Sequence, residues 1–421
     1  FNKDMALLNG PSVPINGERL LQRITELAEI GKIEGTNGCS RLAFSDADRE
    51  GRDLVVTWMR DLGLTVTIDA VGNVIASTHV EGASGAVMAG SHIDTVGTGG
   101  RYDGNLGVLA GLEVIEAAIA MGVELKRPLA IAFFSNEEGS RYPPDMMGSL
   151  AYAGGMSVEA VLEVEGKDGT VVGEELERIG YRGTAPCPGV VPHAFVELHI
   201  EQGPVLDNED IQIGIVEGVQ GISWTELVLV GQSNHAGTTP MSLRKDPMRV
   251  AAEVVTAVRS IATEMGGTQV ATVGSLHLHP NLVNVVPASA TMTVDLRNTD
   301  EALLQQAEEE LHNCVAVFAK DEGLKVETRS LARFEPVEFD SRVVEQIEEL
   351  AQQTGLSTKR MPSGAGHDAQ MMARICPTGM IFVPSLDGIS HNPAEHTDER
   401  DLIAGTQLLS DTMLALTEVD W

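Results

Sequence analysis

The sequence predicts an α/β protein whose main domain is interrupted by a smaller α+β unit. Three observations carry that prediction. Apolar runs of strand length alternate with helix-period segments over the first half. Val- and Thr-rich strands and two capped helices then follow in the order βαββαβ over roughly 212–330. The first pattern resumes after 338. Buried strands separated by helices make a sheet covered on both faces, and βαββαβ is a self-contained ferredoxin-like unit. At about 150 residues per domain, 421 residues make two or three domains. The expected division is 1–211 and 331–421 as the two parts of one domain, with 212–330 inserted between them.

Residues 64–70 and 72–77 have the pattern of a short antiparallel pair turning at Val71-Gly72. Residues 86–92 form an apolar strand ending in a polar cluster. Over 106–121 apolar residues share one face with Glu113 and Glu116 opposite, which predicts an amphipathic helix. The run 128–134, PLAIAFF, is a buried strand ending in SNEEGS, and 194–200 is another strand, closing on His199. The character changes after Gly203. A strand at 224–230 precedes a helix to about 265, with Asp246 as cap and Pro247 in the first turn. Strands 268–278 and 283–297 join around His279-Pro280-Asn281. Asp300 caps a helix to about 320, and 324–330 is a closing strand. Beyond 338 come a helix at about 343–354, a strand at 379–384 and a helix at about 402–416.

Composition excludes several classes. Hydrophobic residues at 43% and charged residues at 21% are ordinary for a folded protein and exclude disorder as the main state. Asp and Glu number 61 against 29 Lys and Arg, a net charge of -32. Such a surface repels phosphate backbones and anionic lipid, so neither nucleic acid nor membrane is an expected partner, whereas cations are attracted. The best apolar window, 106–123, is broken by Glu113 and Glu116, so no transmembrane helix is expected. The opening FNKDMALLNG shows no signal peptide. Cys39, Cys187, Cys314 and Cys376 are far apart and form no CxxC pair. They read as reduced thiols of a cytoplasmic protein, each a small core residue.

Five polar clusters punctuate the scaffold: Ser91–Thr95, Arg101–Asn105, Asn136–Gly139, His199–Gly203 and Ser390–Glu395. Four lie at a strand end or in the loop after one, and ligand crevices of open α/β sheets lie outside the carboxyl ends of the strands. Imidazole and carboxylate without nearby thiolate suit Zn, Mn, Co or Ni. Three His and two acidic ligands suffice for two ions if one carboxylate bridges them. Adjacent Glu137 and Glu138 point in different directions, so one can ligate while the other acts as a base. Each residue alone has a plainer reading: a hydrogen-bonded His, a solvated Glu-Glu helix start, an Asp-Gly turn. Their joint occurrence at successive strand ends favours the metal.

The segments GSHIDTVGTGGRYDGNLGVLAG, FFSNEEGSRYP, ELHIEQGPVL, SNHAGTTPM, NVVP, DLRNTD, SGAGHDAQMMA and GISHNPAEHT resemble the amidase/hydantoinase/carbamoylase branch of the M20 metallopeptidase superfamily. Within it they are most similar to N-carbamoyl-L-amino-acid hydrolases, allantoate amidohydrolases and β-ureidopropionases, over nearly the whole chain from about Arg19. The resemblance implies an M20-type catalytic domain, a mixed sheet flanked by helices, with an inserted ferredoxin-like lid and dimerisation domain. It implies His92, Asp103, Glu138, His199 and His391 as ligands of two divalent ions, Asp103 bridging them. Glu137 would be the general base, and Asp94 would hold the His92 imidazole in its ligating tautomer. His235 would stabilise the oxyanion in the partner subunit's site. Gln202 would contact the ureido group, and Gly366 and His367 would lie on the substrate side.

Some of these residues also speak for themselves. Arg297 is a planar bidentate donor suited to a carboxylate, or else a surface ion-pair partner of Asp295 or Asp300. Asn284, inside an apolar strand pattern, can bond an amide or carboxylate. His367 has a second reading as a structural partner of Asp368. His79, His193, His277, His279, His312 and His396 carry no motif. The activity implied is hydrolysis of a small carboxylated ureido compound, led by N-carbamoyl-L-amino acids, to amino acid, CO2 and ammonia. Allantoate and β-ureidopropionate are the near alternatives, and an aminoacylase or dipeptidase a more distant one. A metal-binding scaffold without turnover would not need the base Glu137. A homodimer through the inserted unit is expected, since C2 pairing is the commonest closed arrangement.

Overall fold

The computed structural model describes residues 12–83 and 85–421; the opening segment, with its signal-peptide expectation, lies outside the described residues. The chain divides into two compact units, Phe1–Glu217 with Glu338–Trp421, and Gly218–Val337. These limits fall a few residues beyond the expected 212–330. Strand Ile213–Val219 pairs with Thr378–Val383 in the first unit's sheet, Val216 opposite Met380, which draws the first limit on. Strand Lys325–Phe334 continues past 330 along Gly221–Val230, Phe334 opposite Ile222, which moves the second.

The first unit's sheet has nine strands among the described residues. Its order is Thr65–Ile68, Val74–Ser77, Leu129–Phe134, Val87–His92, Ala194–Ile200, Thr378–Val383, Ile213–Val219 and Val337–Glu338, with Thr358–Ser363 also paired to Ile213–Val219. The four strands from Leu129–Phe134 to Thr378–Val383 are parallel, and the pairings flanking them are antiparallel. Every residue of those four strands is buried. That is why they read as continuous apolar runs rather than alternating ones. Adjacent residues of one strand meet different layers: Glu197 bonds the Ala369 N–H of helix Asp368–Met372, while Leu198 packs at Gly405 of helix Glu399–Thr417. Parallel alignment brings His92, Phe134, Ile200 and Val383 to one edge of the sheet, the ligand edge of such folds.

Two elements differ from expectation. Helix Asn105–Met121 is buried nearly all round rather than amphipathic. Glu113 is fully enclosed, and its carboxylate accepts Arg19 Nε at 2.7 Å, Arg19 Nη2 at 2.7 Å and the Asn16 N–H at 2.6 Å. Helix Gly17–Glu29 thus covers the face that the two glutamates seemed to mark as wet. The expected strand 283–297 is broken, as Pro287 lacks an N–H for the ladder. Val285–Val286 pairs instead with Asn234–His235, and Ser289–Asn298 is the sheet strand. All four cysteines are free thiols; Cys39 and Cys376 are buried, but Cys187 and Cys314 are only partly so.

The second unit has a four-stranded antiparallel sheet in the order Lys325–Phe334, Gly221–Val230, Ser289–Asn298, Val270–His279. Helices Pro247–Met265 and Glu301–Glu322 start at Asp246 and Asp300, whose side chains accept the N–H groups of Met248 and Leu303. Leu227, Leu229, Met292, Val294 and Leu296 of the sheet form one core with Val250, Val254, Val258, Leu304 and Leu311 of these helices. The alternate residues Trp224, Asp295 and Arg297 lie on the opposite face, by the period of two. No helix among the described residues is long and apolar enough to cross a membrane.

Candidate metal centre and active site

His92 ends its strand buried, and its Nδ1 lies 2.8 Å from the backbone carbonyl of Asp94. His199 repeats the device, with Nδ1 2.8 Å from the carbonyl of Ile200. A carbonyl only accepts, so both rings carry their proton on Nδ1 and turn the Nε2 lone pair inward. Asp103 Oδ1 lies 3.5 Å from His92 Nε2 and 3.2 Å from His199 Nε2. Its Oδ2 lies 3.3 Å from His391 Nε2, which is also 3.2 Å from Glu138 Oε2. Glu137 Oε2 approaches His92 Nε2 at 3.4 Å.

These separations test the fit to a metal. Bonds of about 2.0–2.1 Å in tetrahedral geometry space ligand atoms about 3.3–3.5 Å apart. Two groups, His92–Asp103–His199 and Asp103–Glu138–His391, share Asp103 and keep their candidate ligand atoms within 4.8 Å of one another, with the imidazole–carboxylate separations at 3.2–3.5 Å. A third group, Glu197–His199–His367, is already committed. Glu197 accepts Ser91 Oγ at 2.6 Å and the Ala369 N–H at 2.8 Å, and His367 Nε2 meets Ser363 Oγ at 2.8 Å.

The electrostatics describe an enclosed negative site. Burial pushes the Glu137 carboxyl well above its usual range, against His92 and with help from Asp368 and Glu138. Burial likewise pushes Asp94 to about 6 and, with Glu197, Asp368 to about 8. Asp103 goes the other way: burial opposes it, but the imidazoles of His199, His391 and His92 that face it hold it well below the usual carboxylate range. Hydrogen bonds to Asp103 and Glu138 raise His391 to about 10.

The loops are fixed by their own main chains. Asp94's carboxylate accepts the N–H groups of Glu137 at 3.2 Å and Glu138 at 3.3 Å, so it is the residue's carbonyl, not its side chain, that holds His92. Glu395 Oε1 accepts the N–H groups of Tyr102 at 2.9 Å and Asp103 at 3.2 Å. Gly104, at φ +69°, passes so close that a Cβ would lie 2.4–2.5 Å from the His92 ring. Asn136, Gln202 and His391 take positive φ where their loops turn sharply, a strain typical of functional loops.

Gln202 Nε2 donates to Asp103 Oδ2 at 2.9 Å, while its Oε1 is buried without a hydrogen-bond partner among the described residues. His367 packs edge-on to the His199 ring, centroids 4.5 Å apart. A Cβ on Gly366 would meet Met146 Cε at 2.8 Å. The first unit therefore brings together residues 92, 94, 103, 137, 138, 199, 202, 367 and 391.

His235, Asn284 and Arg297 lie in the second unit. His235 Nδ1 accepts the N–H groups of Gly237 at 3.0 Å and Thr238 at 3.2 Å, which puts the ring proton on Nε2. Asn284 is exposed and precedes a two-residue strand rather than lying inside a long one; its carbonyl accepts the Ala236 N–H at 2.9 Å. Arg297 forks onto Asp295, with Nε to Oδ1 at 3.1 Å and Nη2 to Oδ2 at 2.9 Å, over the Trp224 ring. Sequence reasoning missed Glu197 and the supporting part played by Glu395. Glu197 was findable two residues before His199, since that spacing shares a strand face.

A model of peptidase family M20/M25/M40 matches residues 88–415. An N-carbamoyl-L-amino acid amidohydrolase of Geobacillus stearothermophilus is 39% identical, covering 96% of this chain and 99% of that one. The allantoate amidohydrolase of Escherichia coli K12 is 35% identical over 91% of this chain and 93% of its own. Among solved structures, an amidase of the hydantoinase/carbamoylase family from Burkholderia multivorans superposes with a TM-score of 0.93 at 42% identity, covering 97% of this chain and 99% of that one.

Proposed function

The chain belongs to peptidase family M20/M25/M40, among its amidohydrolases, and on that premise we propose that it hydrolyses an N-carbamoyl-L-amino acid to amino acid, CO2 and ammonia. The division of Asp103 carries the proposal: one oxygen faces His92 and His199, the other faces His391 beside Glu138. That pattern suits two divalent ions sharing one carboxylate, Zn or Mn by donor type, with Co or Ni also compatible. Such a pair, when bound, supplies carbonyl polarisation and a water nucleophile near neutral pH.

The other tasks belong to the chain itself. Glu137 takes the proton of the attacking water on its buried carboxylate and returns it to the leaving nitrogen. Asp94 fixes both Glu137 and Glu138 through their N–H groups. Gln202 Oε1, buried and unpaired among the described residues, accepts from the ureido nitrogen. Gly366 and His367 line the substrate side. The Nε2–H of His235 donates to the developing oxyanion, while Arg297 and Asn284 hold the substrate carboxylate. The second unit serves as lid and dimerisation element. Its outer strands Lys325–Phe334 and Val270–His279 offer edges for a second copy, and His235 acts in the partner's site. Four free thiols fit a reducing cytoplasm.

The similarity to an allantoate amidohydrolase supports a second reading, with allantoate as substrate. Ammonia release with added Mn, measured in parallel on N-carbamoyl-L-amino acids, N-carbamoyl-β-alanine and allantoate, separates these readings. Fastest turnover of the first group supports the proposal. Preference for allantoate selects the second reading, and cleavage of N-acetyl amino acids or dipeptides without ammonia overturns both.

A further inference from the structure

Arg41 is wholly buried, and no carboxylate among the described residues lies within ion-pair distance of it. Enclosing an unpaired guanidinium is costly unless every donor is used. Here Nε and Nη2 donate to oxygens of the metal loops, and Nη1 donates to carbonyls of a helix and its cap and lies 3.4 Å from Cys39 Sγ. Nε donates to the Ile93 carbonyl at 2.7 Å, and Ile93 stands between His92 and Asp94. Nη2 donates to Asn105 Oδ1 at 2.7 Å, two residues after Asp103. Asn105 Nδ2 in turn donates to the Arg101 carbonyl at 3.3 Å, which closes the loop that carries Asp103. Nη1 anchors the assembly to helix Gly17–Glu29 and its cap, donating to the Leu27 carbonyl at 2.9 Å and the Ile30 carbonyl at 2.8 Å.

The main chain doubles the link: Arg41 N donates to Thr95 Oγ1 at 2.7 Å, and Thr95 N to the Arg41 carbonyl at 2.9 Å. Gly51 leaves passage for the stem, since a Cβ there would lie 2.8 Å from Arg41 Cδ. None of these bonds reaches the Glu138 or His391 loops directly; the link to Glu138 runs only through the Asp94 carboxylate, 3.3 Å from the Glu138 N.

We infer that Arg41 is a positioning residue that fixes the spacing of His92 and Asp103, and so sets metal affinity chiefly at His92–Asp103–His199, where it braces two of the three residues, and less at Asp103–Glu138–His391, where it braces only the shared Asp103. The inference rests on the two-ion reading above. Its action is unequal at the two positions, which a general contribution to folding would not be.

Lysine keeps the charge at position 41 but cannot span Ile93 and Asn105 together. The test strips wild type and Arg41→Lys of metal, confirms folding by circular dichroism, and titrates each with Co2+ by calorimetry and absorbance. His199→Ala and His391→Ala assign the two binding steps. The expected result is an affinity loss of about 10–100-fold for the ion at His92–Asp103–His199, with a clearly smaller loss for the other ion. Asn105→Ala, which leaves the carbonyl bonds in place, should move the same step in the same direction, and it decides the question if Arg41→Lys does not fold. Wild-type affinities at both positions, or equal losses at both, overturn the inference. A wild-type chain that takes up fewer than two ions overturns the two-ion reading, and the inference with it.

Discussion

Asp94 holds Glu137 from below: its carboxylate accepts the Glu137 N–H at 3.2 Å, while its own carbonyl receives His92 Nδ1 at 2.8 Å. One residue therefore steadies the proposed ligand His92 through its main chain and, through its side chain, the loop of the proposed base Glu137 and proposed ligand Glu138. Asp94→Asn separates the two tasks, because it leaves the carbonyl in place. Metal content should stay near wild type while kcat falls about 10–100-fold, the usual cost of losing a supporting partner. Elemental analysis with steady-state kinetics checks this. Loss of metal from the His92–Asp103–His199 position would return the imidazole-holding task to the side chain.

Gly104→Ala should be far more damaging than an alanine usually is. The added Cβ would strike the His92 ring, and φ +69° costs a side chain about 1–3 kcal/mol. Lower metal content and a lower thermal midpoint are expected together. A stable, fully metal-loaded variant would mean that the loop has room to shift.

Arg297→Lys tests the carboxylate anchor. Loss of a charge-assisted fork, about 1.5–3 kcal/mol, should raise KM for carboxylated substrates about 10–100-fold with kcat little changed. Unchanged kinetics would leave Arg297 as the partner of Asp295 that its 2.9 Å contact already makes it.

Glu137→Gln should lose about 10²–10⁴-fold in turnover yet keep its metals. Mixed with His235→Ala after verified subunit exchange, it should recover part of the activity, since some mixed dimers contain one intact site. A mixture that stays inactive would assign His235 to its own subunit's site or to none.

Much of this was legible in the sequence because the chemistry sits at strand ends. The runs GSHID, FFSNEEG and ELHIEQG each pass from buried strand to polar loop within a few residues, and the parallel strands bring those loops to one edge. What could not be read was tertiary compensation. Glu113 looked solvated because Arg19, which encloses it, is 94 residues away. Arg41 and Arg52 carry no motif in the sequence, yet both are fully buried; Arg52 pairs with Asp48 at 2.9 Å under the rings of Phe44, Phe133 and Tyr181. Helix Asp46–Asp61 escaped notice for the same reason, since its buried face carries Asp48 and Arg52 among its apolar residues. The role of Asp94 depended on which of its oxygens faces which neighbour, a matter of backbone direction that spacing does not encode.

The central claim is that Asp103 joins two ions, and counting them tests it most directly. Metal-stripped wild type, His199→Ala and His391→Ala would be reloaded with Mn2+ or Zn2+ and analysed for bound metal per chain. The account predicts two ions in wild type and one in each variant, with the retained ion held by His92, Asp103 and His199 in His391→Ala and by Asp103, Glu138 and His391 in His199→Ala. A single ion in the fully active wild type, or the loss of all metal from either variant alone, would contradict it.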